Sequence, residues 1–241
     1  MRSTTLRIAL AFVLLSIARE TFSQSGLTDR WVGTWTTAEV GRPQNPAPPG
    51  GPPLAPFMIN TRCPAPSAPP VAPPPGQTFS PPPYLHFTNQ TLRQIVHTSI
   101  GGSSMRVVLS NAYSTAPLTI GGAHIALRDK DSAIQTASGH SLSFSGRPTV
   151  TIPANAVVYS DPVNLTVAPM ADLAIDLYLP GSTDTPAPLT MHTGAFQTNY
   201  VSETGNHVGK ASLPVVATIQ NWFVVYRVEV LAPRSVGGLV T

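Results

Sequence analysis

Three stretches of this chain alternate with a period of two, which commits them to half-buried β-strands. Met105, Val107 and Leu109 alternate with Arg106, Val108 and Ser110. In DLAIDLYL, residues 172–179, Leu173, Ile175, Leu177 and Leu179 point inward while Asp176 and Tyr178 point outward. From Trp222 to Leu231, Trp222, Val224, Tyr226, Val228 and Val230 share one face, opposite Phe223, Val225, Arg227 and Glu229. Outside an N-terminal apolar run, no window of about 11 residues carries a helical period. The chain is therefore expected to be all-β, an antiparallel β-sandwich of jelly-roll-like character.

The stretch TLRQIVHTSIGGSSMRVVLSN, residues 91–111, reads as a hairpin, with Gly101-Gly102 supplying a positive-φ turn between its strands. The first of the two is rich in β-formers but alternates less cleanly. Leu118 and Ile120 alternate one way and Ala123, Ile125 and Leu127 the other, which predicts a β-bulge at Gly121-Gly122. Further strands are expected at 31–38, 149–152, 157–160, 163–167, 189–193 and 196–201, with turns at 129–131 and 153–155. In the first of these, Trp31, Gly33 and Trp35 are placed on one face.

Two segments depart from this pattern. Residues 1–23 carry Arg2 and Arg7 before the apolar run IALAFVLLSIA, too short to span a bilayer comfortably, and read as a helical secretory signal cleaved near Ser23. No cysteine stands directly after that run to carry a lipid, so no stable membrane anchor is expected. The protein is read as exported, to the extracellular space or a periplasm. Within 42–84, 17 of the 41 residues from Pro43 to Pro83 are proline. Such a stretch cannot join a ladder, and it is expected to be a polyproline or disordered insertion. The expected plan is a first strand region at 24–41, the insertion, a sandwich domain at 85–233 and a tail at 234–241.

Charge and cysteine content exclude several functions. Removing residues 1–23 takes away three arginines and one glutamate, so a net charge of +3 becomes +1, and the basic residues left are scattered. That argues against a nucleic-acid partner. Cys63 is the only cysteine, so no internal disulfide can form, and it reads as an exposed incidental thiol.

Chemistry-bearing motifs are sparse. There is no G-x-S-x-G, and the six histidines show neither H-x-H nor H-E-x-x-H spacing. No catalytic, cofactor-binding or metal-ligating residue is therefore assigned. His97 and His124 read as satisfied sheet-face histidines. Asp172 and Asp176 share a strand face, an arrangement that could be half a calcium site but reads as a solvated face. Trp31, Trp35, Trp222 and Tyr226 could form a sugar-stacking platform, with Trp222 and Tyr226 as the ligand-face candidates and a polysaccharide as partner. Their apolar strand faces favour core packing instead. Asn89 and Asn164 head formal glycosylation sequons.

Taken in order, the blocks WVGTWTTA, FTNQTLRQIVHTSIGGSSMRVVLSNAYSTAPLTIGGAHIAL, GRPTVTIPANAVVYSDPVNL, ADLAIDLYLP and WFVVYRVEVLAP resemble the N-terminal β-domain of secreted SGNH (GDSL-type) ester hydrolases. The likeness runs from Trp31 to the C-terminus, interrupted by the Pro-rich stretch. It implies a non-catalytic accessory portion of an esterase whose catalytic domain hydrolyses esters by a Ser-His-Asp mechanism. In that family a phrase like Val230–Pro233 leads into an apolar strand and then a G-D-S block, and the sequence here ends at that approach. The positions of the nucleophile, oxyanion donors and D-x-x-H pair are absent, so none is carried over. The resemblance thus implies inactivity alone and an SGNH catalytic domain, missing or supplied in trans, as partner. A free-standing carbohydrate-binding module is the alternative.

Overall fold

A computed structural model describes residues 29–41, 86–185 and 187–236. The signal segment and the Pro-rich insertion lie outside the described residues. In chain order the strands are β1 (Arg30–Thr36), β2 (Val40–Gly41), β3 (Thr88–His97), β4 (Met105–Ser110), β5 (Leu118–Ile120), β6 (Gly122–Leu127), β7 (His140–Ser141) and β8 (Val150–Ile152). They continue as β9 (Val157–Tyr159), β10 (Asp172–Ser182), β11 (Thr190–Thr193), β12 (Asn199–Thr204), β13 (Val215–Ile219), β14 (Asn221–Phe223) and β15 (Val225–Ala232). The one helical element among the described residues is a 3-10 turn at Thr136–Ser138.

The expected antiparallel sandwich is present. A six-stranded sheet ordered β13-β12-β3-β10-β6-β7 faces a four-stranded sheet ordered β1-β15-β4-β9. Smaller sheets, β14-β11-β2 and β5-β8, complete the body. Leu92, Val96, Ile125, Leu173, Ile175 and Leu177 from the larger sheet share one buried cluster with Met105, Val107, Leu109, Val228 and Val230 from the smaller. Because β1 pairs with β15 from Arg30↔Ala232 to Thr36↔Arg227, the first strand and the described residues from 86 to 233 form a single body. The Pro-rich insertion therefore interrupts one sandwich between β2 and β3.

The expected hairpin at 91–111 is not formed. β3 pairs with β10 and β12, whereas β4 pairs with β15 and β9, so Gly101-Gly102 lies on a crossover between the two sheets. Neither glycine has a positive φ. They are needed for close approach: a Cβ on Gly102 would sit 2.5 Å from the Leu231 carbonyl oxygen, and one on Gly101 would strike the Val167 carbonyl. A similar correction applies to Gly121-Gly122. Instead of a bulge, the chain changes sheets there, β5 pairing with β8 and β6 with β10. The segment 163–167 contributes isolated bridges, Val163 to Met105 and Val167 to Gly102, and no strand. The turns at 129–131 and 153–155 are present, with Asp131 and Asn155 at positive φ.

The long strand expected from Trp222 to Leu231 is broken at Val224, whose φ is +66°. Its N–H donates to the Thr190 carbonyl and its own carbonyl accepts from Ser110 N–H, so this residue carries the chain from one sheet into the next. The break, and a register shift between Val225 and Arg227, scramble the face assignment made from alternation. β1 also shifts register between Gly33 and Trp35. Trp31 consequently lies opposite Leu231 and Trp35 opposite Val228, on opposite faces of the sheet, and not together as the alternation suggested.

β3 alternates poorly because both of its faces are covered, every side chain from Thr91 to Val96 being buried. On its outer face Ile95 joins Ala126, Ile134, Ala174, Tyr200 and Leu213 in a second apolar cluster. Beside them lies a fully buried ion pair. Arg93 Nε and Nη2 donate to the two carboxylate oxygens of Asp176 at 2.6 and 2.8 Å. The remaining guanidinium donors reach the Ser132 and Lys210 carbonyls at 2.5 and 2.8 Å, and Gly209 N–H donates to Asp176 at 2.8 Å. The expectation of a solvated Asp176 is thereby overturned, since loops around Ser132 and Lys210 close over it.

Removing one member of such a pair leaves an uncompensated buried charge. Arg93→Met is expected to cost about 3–5 kcal/mol in urea unfolding. The double variant Arg93→Met, Asp176→Leu is expected to lose clearly less than the sum of the two single variants. Additivity of the single losses would show that the two groups do not act as a pair.

Candidate functional site

Asp172 and Asp176 do share a face, but each carboxylate is already engaged. At the open end of β10, Asp172 Oδ1 lies 2.7 Å from His97 Nδ1, and its Oδ2 accepts from Arg128 at 3.1 Å. These residues border a cleft of about 460 Å³ with Asp129, Lys130, Asp131 and Met170. A carboxylate that orients an imidazole is the base half of a nucleophilic site. Among the described residues no serine, threonine or cysteine lines this cleft, and Arg128 shares the acid. Among the described residues no group of three or more His, Cys, Asp or Glu side chains could hold a metal ion.

Four further histidines lie elsewhere in the fold. His140 and His192 meet the Ser138 and Ala38 carbonyls, and His207 lies near the Thr204 carbonyl and Glu203. His124 departs from the expectation of a satisfied imidazole. It sits opposite Asp176 on β6, is 8% exposed, and its buried Nδ1 has no hydrogen-bond partner. The ring is wedged between two backbone segments, since a Cβ on Gly139 would come 2.8 Å from Nε2 and one on Gly209 3.2 Å from Cδ2. Burial holds its pKa below the ordinary 6.5, with the Arg93 and His140 charges acting the same way and Asp176 opposing them.

Trp222 and Tyr226, the ligand-face candidates, belong to different strands. Trp222 on β14 is half-buried, donates its indole N–H to the Ile95 carbonyl at 2.8 Å, and packs edge-on to Trp35 with centroids 5.0 Å apart. His192 stacks on it at 5.7 Å. Tyr226 on β15 lies with its ring 5.7 Å from the Arg227 guanidinium carbon. Trp31 is on the far face from Trp35, so the four aromatics form no single platform.

One further acid lies near this corner. Glu39 accepts from the Ser110 hydroxyl at 2.7 Å, while its other oxygen is buried without a partner. Burial raises its pKa, partly countered by that hydrogen bond. Alternation could not have found it, because the residue lies between strands.

Two structural facts bear on partners. Among the described residues no helix is long and apolar enough to cross a membrane. Of the tail, residues 234–236 form a turn, Val236 N–H donating to the Pro233 carbonyl and Arg30 reaching the Val236 carbonyl; 237–241 lie outside the described residues. No protein-family model matches the chain, and no curated protein matches it either.

His124 gives the fold a defined pH response. Its folded pKa is depressed, so as pH falls below about 6.5 the unfolded chain takes up a proton that the folded chain refuses. Stability from this group is complete above pH 6.5 and declines as pH falls toward the folded value. In urea melts between pH 7.5 and 5, an assay range chosen around the imidazole's ordinary value, His124→Gln is expected to flatten that decline. Glu39 has the opposite sign: its raised pKa makes its contribution complete below about 4.5 and lost as pH rises through the folded value. Glu39→Gln is therefore expected to raise the unfolding midpoint at pH 7, and a lowered midpoint would contradict the assignment.

Proposed function

We propose that this chain is the accessory β-sandwich module of an exported SGNH-type ester hydrolase, serving a catalytic domain and not supplying the chemistry itself. The observation that carries this reading is the place of the family-like blocks in the fold. WVGTWTTA holds β1, the long block from Phe87 holds β3 to β6, and the next holds β8 and β9. ADLAIDLYLP holds most of β10, and WFVVYRVEVLAP runs from β14 through β15. Apolar residues of these blocks, among them Val107, Ile152, Ile175 and Val228, share the buried cluster between the sheets. Among the described residues that line the cleft beside the exposed His97–Asp172 pair there is no serine, threonine or cysteine. The ester bond would be broken by the partner domain, through a serine activated by histidine with the oxyanion held by amide donors.

The test uses the purified chain with a short-chain aryl ester and a separately produced SGNH catalytic domain. The expected outcome is no turnover by the chain alone, together with a raised melting temperature or rate for the catalytic domain when the chain is added. Turnover by the chain alone that disappears in His97→Ala would overturn the reading and make the surface dyad catalytic. Absence of any effect on the catalytic domain would remove the accessory role.

A further inference from the structure

The outer face of the four-stranded sheet gathers one residue from each of its strands into a single stack. Glu229 on β15 lies opposite Arg106 on β4, Trp31 on β1 lies opposite Leu231, and Tyr159 on β9 lies opposite Val108. Side chains opposite one another across a ladder point to the same face. The Arg106 guanidinium carbon sits 4.5 Å from the Trp31 ring centroid and 4.9 Å from that of Tyr159, so the cation lies between two rings.

A buried acid fixes this cation in place. Arg106 Nε donates to Glu229 Oε2 at 2.5 Å, and Glu229 Oε1 forms an ion pair with Arg227 Nη2 at 2.8 Å. Arg227 donates as well to the Tyr159 hydroxyl at 2.8 Å. Glu229 is 7% exposed, against 26% for Arg106 and 31% for Arg227. One carboxylate thus anchors two guanidiniums and leaves a net positive charge at the surface. Among the described residues neither Nη1 nor Nη2 of Arg106 has a hydrogen-bond partner. That end of the guanidinium is a rigid fork of unused donors, matched in shape to a carboxylate.

We propose that this face binds a carboxylate-bearing polysaccharide, a polyuronate. The free edge of Arg106 grips a sugar carboxylate, and Trp31 and Tyr159 cover the adjoining sugar rings. Tyr159 and its strand neighbour Val157 are 44% and 46% exposed, which extends the amphipathic surface beside the fork. Aromatic rings present apolar area to the C–H faces of sugars at little entropic cost. A single net charge suits a polymer whose carboxylates are separated by sugar rings, and it does not suit the dense phosphates of nucleic acid. The inference does not rest on the esterase reading, since binding belongs to this chain alone.

Calorimetric titration of the full chain with an oligogalacturonate tests the proposal, with its methyl-esterified counterpart and poly-glutamate as comparisons. Binding to the free acid is expected, weakened by salt, with a loss of about tenfold or more in Arg106→Gln and in Tyr159→Ala. The methyl ester is expected to bind correspondingly less. Tyr159 is exposed, so its variant decides the question should Arg106→Gln fail to fold. No binding to the oligouronate, or binding unmoved by Tyr159→Ala, would overturn the proposal. Equal binding of poly-glutamate would overturn it too, by making the face a protein-docking surface.

Discussion

The ion pair between Arg93 and Asp176 is the interaction on which the arrangement of the larger sheet depends. A strand buried on both faces cannot hold a charge on either unless that charge is matched and its remaining donors and acceptors are used. Here the guanidinium meets both carboxylate oxygens and two loop carbonyls, and the carboxylate takes one loop amide. The pair is thus a two-sided fastener. It joins β3 to β10 and draws the loops around Ser132 and Lys210 over the outer face, where they cover Ile95, Ala174 and their neighbours. Without those loops the sheet would have one packed face and one wet one, the ordinary condition of an antiparallel sandwich.

A second constraint is the number of places where the chain changes sheets. Each change interrupts a ladder and leaves backbone groups that must find partners elsewhere. Buried polar side chains supply them. Gln94 meets both the N–H and the carbonyl of Phe223, and Asn199 links Ile95 N–H to the Asn221 carbonyl. Ser202 accepts from Thr91 N–H, and Ser160 from Val107 N–H. These side chains act as substitute peptide groups. Their burial is explained by what they satisfy, and no catalytic role is needed to account for it. These buried polar side chains are part of the scaffold.

Three groups of chemical interest lie outside that scaffold. His97 with Asp172 stands at an open end of β10, Glu39 beyond the end of β1, and Arg106 on the outer face of the smaller sheet. Of these, Arg106 combines fixed position with free donors, since a buried acid and two rings hold it still. The proposed accessory role and the proposed ligand surface both leave the interior to packing and put recognition on a sheet face.

The all-β class, the strand at Asp172–Leu179 and the turns at 129–131 and 153–155 were legible in the sequence, because period-two burial and turn chemistry are local properties. Register and sheet membership were not. Gly101-Gly102 looked like a hairpin turn because glycine permits one; only the approach of Val167 and Leu231 shows why those positions exclude a side chain. Val224 hid the break before β15, since a β-branched residue is the last expected at positive φ. Alternation placed Arg106 opposite Met105 and Val107, but that Trp31, Tyr159 and Glu229 would meet it depended on which strands became neighbours. The sequence settled which segments could be strands; the tertiary structure settled which faces met, because pairing joins residues far apart in the chain and a one-residue shift reverses every face.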